Sequence, residues 1–311
     1  MTIAFVVPPL ESSERLDVYA ATNQNISRSR LKNGLKSIVV NGKDVKLSYK
    51  LKGGESVEIN FEDPVPEDIL PENIPLNILY EDEDVTVINK SQGMVTHPGA
   101  GNWQGTLVNA LLFHWGKEIS KLEDNSQNLR PGIIHRLDKD TSGVMMFALS
   151  QEMQQKIMNT WHKMILERTY IAVAENPLNQ KYYLTEKSGI IDDKITYNKK
   201  HIGYISKNNE TTDGIVAKTH YTILNEGKHY SLFKLNLDTG RKNQIRIHLS
   251  NKKYPIAGDK NYHAKTNPFG RLALHARTLS FIHPVTKEKL TFEIPEDSTW
   301  EKLVTNNNIK S

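Results

Sequence analysis

The chain contains no cysteine among its 311 residues. That absence excludes disulfide scaffolds, thiolate zinc centres, iron–sulfur clusters and cysteine nucleophiles. Long apolar runs are missing as well. The early run Ile3 to Pro9 lacks the basic flank and the length of a secretory signal. No stretch approaches the roughly 18 apolar residues of a membrane span. The 11 histidines show no metal-ligand spacing. A soluble, cytoplasmic chain is expected, long enough for about two domains.

Charge is present in both signs but is unevenly placed. The net charge is only +4. Between Arg28 and Lys52, however, Arg28, Arg30, Lys32, Lys36, Lys43, Lys46, Lys50 and Lys52 are opposed by Asp44 alone. From Glu62 to Asp84 there are acids and no base. This pattern suggests a basic module, an acidic connector and a main body. A basic patch attracts phosphate backbones by releasing their counterions, although a solvated lysine-rich face would look the same.

Local signals divide the chain in the same way. Residues 15–21 and a segment capped by Ser27 read as short helices. Ile38-Val39-Val40 reads as a strand running into an Asn41-Gly42 turn, and residues 57–61 alternate as a half-buried strand does. Residues 1–62 therefore form a small α/β module. Pro64, Pro66, Pro71 and Pro75 mark a stiff acidic linker over 63–76. In the body, 77–311, strands are expected at 85–88, 144–149, 170–174, 220–224, 231–237 and 290–294, with helices at 105–115 and 152–165. Met153, Ile157 and Trp161 are spaced four apart and are expected to face the core. Residues 181–213 are polar and are expected to be loops. The sum is an α+β chain with a mixed, largely antiparallel sheet. Gly99-Ala100-Gly101 and Gly105 half resemble a dinucleotide loop, but the spacing is one residue too long.

The most informative run is Arg130-Pro131-Gly132-Ile133-Ile134-His135-Arg136-Leu137-Asp138-Lys139-Asp140-Thr141-Ser142-Gly143, a charged loop before an apolar strand. Arg136 and Lys139 flank Asp138, and nearby cations hold a carboxylate ionised. Such a group can be a nucleophile, a base or a salt-bridge partner. A glycosidase-like pair with Asp140 is disfavoured, because residues two apart on an extended loop diverge.

The same run resembles the active-site motif of the RluA-type pseudouridine synthases, and most of all the RluD-like subgroup. Arg168-Thr169-Tyr170-Ile171-Ala172 is similar to that family's tyrosine motif. Residues 239–249, from Thr239-Gly240-Arg241-Lys242-Asn243-Gln244 to Leu249, resemble its arginine motif. Leu274-His275-Ala276 with Phe281-Ile282-His283-Pro284 resembles its C-terminal signature. The likeness spans nearly all of 77–296. This chain departs from the usual pattern at Lys242-Asn243, Arg168 and Ser91, none of which is assigned to chemistry. The basic module resembles the small RNA-binding domain of ribosomal protein S-four, an S4-like α/β domain, through Arg15-Leu16-Asp17, residues 27–30, Val40-Asn41-Gly42-Lys43 and Lys52-Gly53-Gly54-Glu55.

The resemblance implies an RNA uridine isomerase that needs no cofactor or metal. Asp138 would be the essential carboxylate, acting at ribose C1′ or C2′. Arg246 would pair with it, and Tyr170 would stack on the detached uracil and help remove the C5 proton. Arg136 would fill the gap left by the extruded nucleotide. His135, Thr141, Arg241 and Lys242 would contact RNA, and Ile245 or Ile247 would wall the uracil pocket. In the first module, Arg28, Arg30, Lys32 and Lys43 would hold phosphates. The implied partner is structured RNA, most of all large-subunit ribosomal RNA, with transfer RNA as an alternative target. No membrane is implied and a monomer is expected. The competing reading is an RNA-binding or ribosome-assembly factor that has lost turnover.

Overall fold

The structure, a computed structural model, describes residues 2–24, 31, 35–61, 69–99, 102–116, 132–198, 202–206 and 214–306. Arg28, Arg30, Lys32, the helix expected from Ser27 and the first half of the linker lie outside them. The chain divides into two compact units, Met1–Asp68 and Ile69–Ser311.

The first unit contains β1 (Thr2–Val6), β2 (Glu14–Arg15), α1 (Leu16–Asn23), β3 (Leu35–Val40), β4 (Lys43–Asp44), β5 (Lys50–Leu51) and β6 (Ser56–Phe61). Four strands form an antiparallel sheet in the order β1-β6-β3-β4, and β2 pairs with β5. Asn41 and Gly42, at φ 49° and 77°, close the β3–β4 hairpin as an Asn-Gly pair should. Leu16, Tyr19 and Ala20 of α1 pack on Ile38, Val40, Leu51, Val57 and Ile59. Gly53 cannot be replaced here: a Cβ would come 2.8 Å from the backbone nitrogen of Leu10. Lys43 is exposed on β4.

The second unit is built on one large mixed sheet. Its strands are β7 (Ile78–Glu81), β8 (Val85–Lys90), β9 (Ser142–Ala148), β10 (Ile165–Glu175), β11 (Ser188–Tyr197), β12 (Gly203–Ile205), β13 (Ile215–Glu226), β14 (Tyr230–Leu237), β15 (Leu274–Ile282) and β16 (Lys289–Glu293). The order is β12-β11-β13-β14-β10-β15-β9-β8-β7, with β16 also on β15. Among the described residues only the β9–β15 pairing is parallel. The helices are α2 (Leu107–Trp115), α3 (Gln151–Met164), α4 (Gln244–Asn251) and α5 (Thr299–Thr305). Among the described residues no helix is long and apolar enough to cross a membrane.

Two expectations need correction. The polar stretch 181–213 is not all loop, since β11 runs for ten residues and pairs with β13 from Ser188 to Ile195. Only every fourth residue, Ile191 and Ile195, is buried. With Asp192, Asp193 and Lys194 between them, the sequence hides a strand whose backbone β13 satisfies. Second, α3 begins with a Ser150 cap, whose hydroxyl accepts from the Met153 amide at 3.1 Å. It then buries Met153 and Ile157 fully against β8, β9 and β15, whereas Trp161 is only partly buried.

Candidate active site

The loop after Gly132 carries Asp138 into β9, and the backbone around it is held from both sides. Thr96 Oγ1 donates to the Leu137 carbonyl at 2.9 Å. The Gly93 amide and Lys90 Nζ both donate to the Lys139 carbonyl, at 2.9 and 3.2 Å. The Thr141 amide closes a turn onto the Asp138 carbonyl at 3.0 Å. Gly143 then lets β9 come in against β15: at φ +119°, a Cβ there would lie 2.1 Å from the Ala276 carbonyl oxygen. Gly143 is opposite Ala276 on β15, and Ala276 is opposite Tyr170 on β10. That close approach draws the acid loop and the tyrosine strand over one place.

The place is a cavity of about 840 Å³. Asp138, Tyr170, Arg246, Ile245, Thr141, Arg136, His135, Arg241 and Lys242 all line it. Asp140 does not. Asp138 lies 3.8 Å from Arg246 Nη1, while Arg246 makes its two-pronged contact elsewhere: Nε and Nη2 donate to Asp259 at 2.7 and 2.8 Å. Nη1 also donates to Asn243 Oδ1 at 2.9 Å, and the guanidinium sits 5.0 Å over the Tyr262 ring. Arg246 is therefore a buried bridge between two carboxylates, with Asp259 its tight partner. The expected pairing with Asp138 is present at 3.8 Å, and Asp259 is a second, tighter partner.

The shift at Asp138 runs opposite to the one that its flanking cations suggest. Burial pushes its carboxyl above the usual carboxylate range, against Arg246, Arg136 and Lys242, which pull it down. The side chain of the sequence neighbour Lys139 is exposed. Tyr170 is 7% exposed, and burial pushes its phenol upward while Arg168 opposes the shift. His135 is not a cation. Burial pushes it down to about 3, its Nε2 accepts from the Met146 amide at 3.1 Å, and its ring packs 5.2 Å from Trp161. Thr141 is buried in the wall, while Arg136, Arg241 and Lys242 are exposed at the rim. Ile247 turns away. Two residues along a helix rotate about 200°, so it packs with Ile195, Ala217 and Tyr262 on the far side of α4. Lys43 belongs to the other unit.

Comparison with protein families matches residues 84–251 to the family described as RNA pseudouridylate synthase. An RNA pseudouridine synthase of Bacillus subtilis (strain 168), YlyB, is 37% identical over 95% of each chain. The ribosomal large subunit pseudouridine synthase D of Pasteurella multocida is 34% identical over 98% of this chain and 94% of its own. The chain belongs to the RNA pseudouridine synthases. Within them it falls in the RluA-type branch, RluD-like subgroup. The synthase shares its fold with the human protein RNA pseudouridylate synthase domain containing 4, with a TM-score of 0.54 over 72% of this chain and 90% of that one, at 24% identity.

Several residues that shape the synthase's cavity carry little mark of it in the sequence. Asp259 lies 13 residues beyond Arg246, and nothing in its surroundings marks it as a partner. Lys90 and Thr96 reach the acid loop across more than 40 residues. Trp161, expected in the core, lines the cavity, and only its place on the α3 stripe Gln151, Gln154, Met158 and Trp161 signals this. Asp82, Asp84 and His283 also meet in space. There the His283 Nδ1 accepts from the Val285 and Thr286 amides, so its Nε2 carries the proton and faces Asp82 at 3.0 Å. That arrangement is an acid–histidine contact in which no nitrogen lone pair is left for a metal.

Proposed function

We propose that the synthase converts uridines of large-subunit ribosomal RNA to pseudouridine, with Asp138 as the catalytic carboxylate. The observation that carries the reading is that Asp138, Tyr170 and Arg246 share one cavity with three cations at its rim. The relatives named ribosomal large subunit pseudouridine synthase D support the choice of RNA.

The extruded uridine enters with its ribose at Asp138, which attacks C1′ or removes the C2′ proton. The glycosidic bond breaks, the uracil turns, and C5 joins C1′. Tyr170 stacks on the free base and takes part in moving the C5 proton. Arg246, fixed by Asp259, is a positioning residue that aims Asp138. A carboxyl held high by burial gains its ionised, reactive form at the cost of solvation, and Arg246 offsets that cost. Arg136 occupies the gap in the RNA stack, and Arg241 and Lys242 hold phosphates. Ile245 and Leu274 wall the base. The basic module, 1–62, is an S4-like RNA anchor whose basic residues include Lys43. The synthase works as a cytoplasmic monomer.

The test replaces Asp138 with Asn in the producing cell and maps pseudouridines in ribosomal and transfer RNA. Loss of one or more ribosomal sites is expected. An unchanged map removes Asp138 from the chemistry, and a loss confined to transfer RNA overturns the substrate.

A further inference from the structure

Arg168 is a half-buried cation in the cavity wall, two residues before Tyr170 on the same face of β10. Among the described residues it has no carboxylate within salt-bridge distance, and its guanidinium makes no hydrogen bond. Arg136 also lacks an ion-pair partner among the described residues, but it is exposed at the rim, and the other described arginines of this unit are held. Arg246 is held by Asp259, and Arg277 by Glu293 and Glu296. Arg271 donates to Ser142 Oγ and the Leu272 carbonyl, and Arg241 donates to the Val216 carbonyl. The acids near Arg168 are engaged elsewhere: Glu167 with Lys234, and Asp238 with His220 and Lys218.

What holds Arg168 is a ring. Its guanidinium carbon lies 5.3 Å over the centroid of Trp161, and the neutral His135 packs on the same indole. Its fork is directed outward. A Cβ on Gly240 would stand 3.9 Å from both terminal nitrogens, so they face the exposed turn that carries Arg241 and Lys242. Five unspent donors, a fixed plane and two more cations alongside form the chemistry that receives a tetrahedral dianion edge or a phosphodiester. A half-buried cation without a counter-ion is costly, and an arriving anion relieves that cost.

We propose that Arg168, braced flat on Trp161, binds a backbone phosphate of the RNA strand beside the target uridine. The proposal rests on the reading of this cavity as the RNA site. It makes the cavity bipartite, with chemistry at the Asp138 end and the strand fixed at the Arg168 end. Arginine is needed because only a flat guanidinium can stack on the indole and still present two donors.

The experiment uses the full-length protein and a hairpin of large-subunit ribosomal RNA whose pseudouridine disappears in the Asp138→Asn strain. Binding is measured against salt for wild type, Arg168→Gln and Arg168→Lys. The Gln variant should lower the slope of log K on log[salt] by about 0.7, the loss of one single-strand phosphate contact. The Lys variant should keep the slope and bind more weakly. Methylphosphonate linkages placed singly around the target uridine then locate the contact: one position should weaken wild type and be silent in Arg168→Gln. A merely structural arginine would lower affinity or the folded fraction without moving the slope, and that result overturns the proposal. So does a slope change with every phosphonate costing both proteins equally, or silence toward a base substitution instead. Wild type that fails to bind the hairpin at all overturns the RNA reading itself.

Discussion

Replacing Asp259 with Asn tests the arrangement around Arg246. The Arg246 side chain is 8% exposed and that of Asp259 1%, so the pair is largely dry. Breaking a buried pair by removing one charge costs about 3–5 kcal/mol. Asparagine keeps one neutral acceptor, and Arg246 retains Asn243 at 2.9 Å and Asp138 at 3.8 Å. The low end, about 3 kcal/mol, is therefore expected. For a unit of this size that is a fall in Tm of roughly 6–12 °C. The freed guanidinium moves toward Asp138, and the negative charge that adds to the upward push of burial on Asp138 is gone. Two kinetic changes follow. Turnover falls on the order of 10- to 100-fold, because the carboxylate is no longer aimed. The acid limb of the single-turnover profile moves to lower pH, since both changes favour the ionised form. Thermal melting and pseudouridine formation across a pH series measure these together. A variant with wild-type Tm and an unmoved acid limb would refute the bridge.

Other perturbations probe the remaining pieces. Asp138→Asn should abolish turnover yet leave Tm at pH 7 equal or higher: a raised carboxyl stabilises the fold below its unfolded value and loses that contribution as pH rises through the folded one, so a neutral amide lifts the cost. A marked drop in Tm at neutral pH would contradict the direction of the shift. Gly143→Ala should cost on the order of 3 kcal/mol or more and lower activity of the folded fraction, because a Cβ meets the Ala276 carbonyl at 2.1 Å in a left-handed backbone. An unaltered denaturation midpoint would show that β9 and β15 can part. Thr96→Val removes the hydroxyl that holds the Leu137 carbonyl. It should destabilise by about 1 kcal/mol and lower kcat while KM for RNA stays, and a change in KM alone would place Thr96 outside the aiming of Asp138. Deleting residues 1–62 should weaken RNA binding and flatten its salt dependence while Ile69–Ser311 stays folded. An equal slope would show that the basic run anchors nothing.

Much of the body was legible because its signals are local. The apolar run after Gly143 is β9, buried along its whole length, and Asn41-Gly42 closes the hairpin its chemistry demands. The motif residues Asp138, Tyr170 and Arg246 do meet in one cavity. One open choice and one failed expectation have physical reasons. Ile245 and Ile247 look equivalent in sequence, but helical rotation sends one into the cavity and the other into a separate cluster. β11 is hidden in the sequence because it buries few residues, and its pairing with β13 leaves no mark on its own composition.

The sequence by itself determined which side chains carry charge, where the chain must turn, and which residues alternate toward a core. Tertiary structure alone decided which carboxylate Arg246 grips, that Asp138 is raised by burial rather than lowered by its neighbours, and that Arg168 is left without an acid. The reason is that a charge's energy depends on solvent and on partners brought near by folding. Asp259, Trp161 and the carbonyl of Ala276 are adjacent to the chemistry only in space.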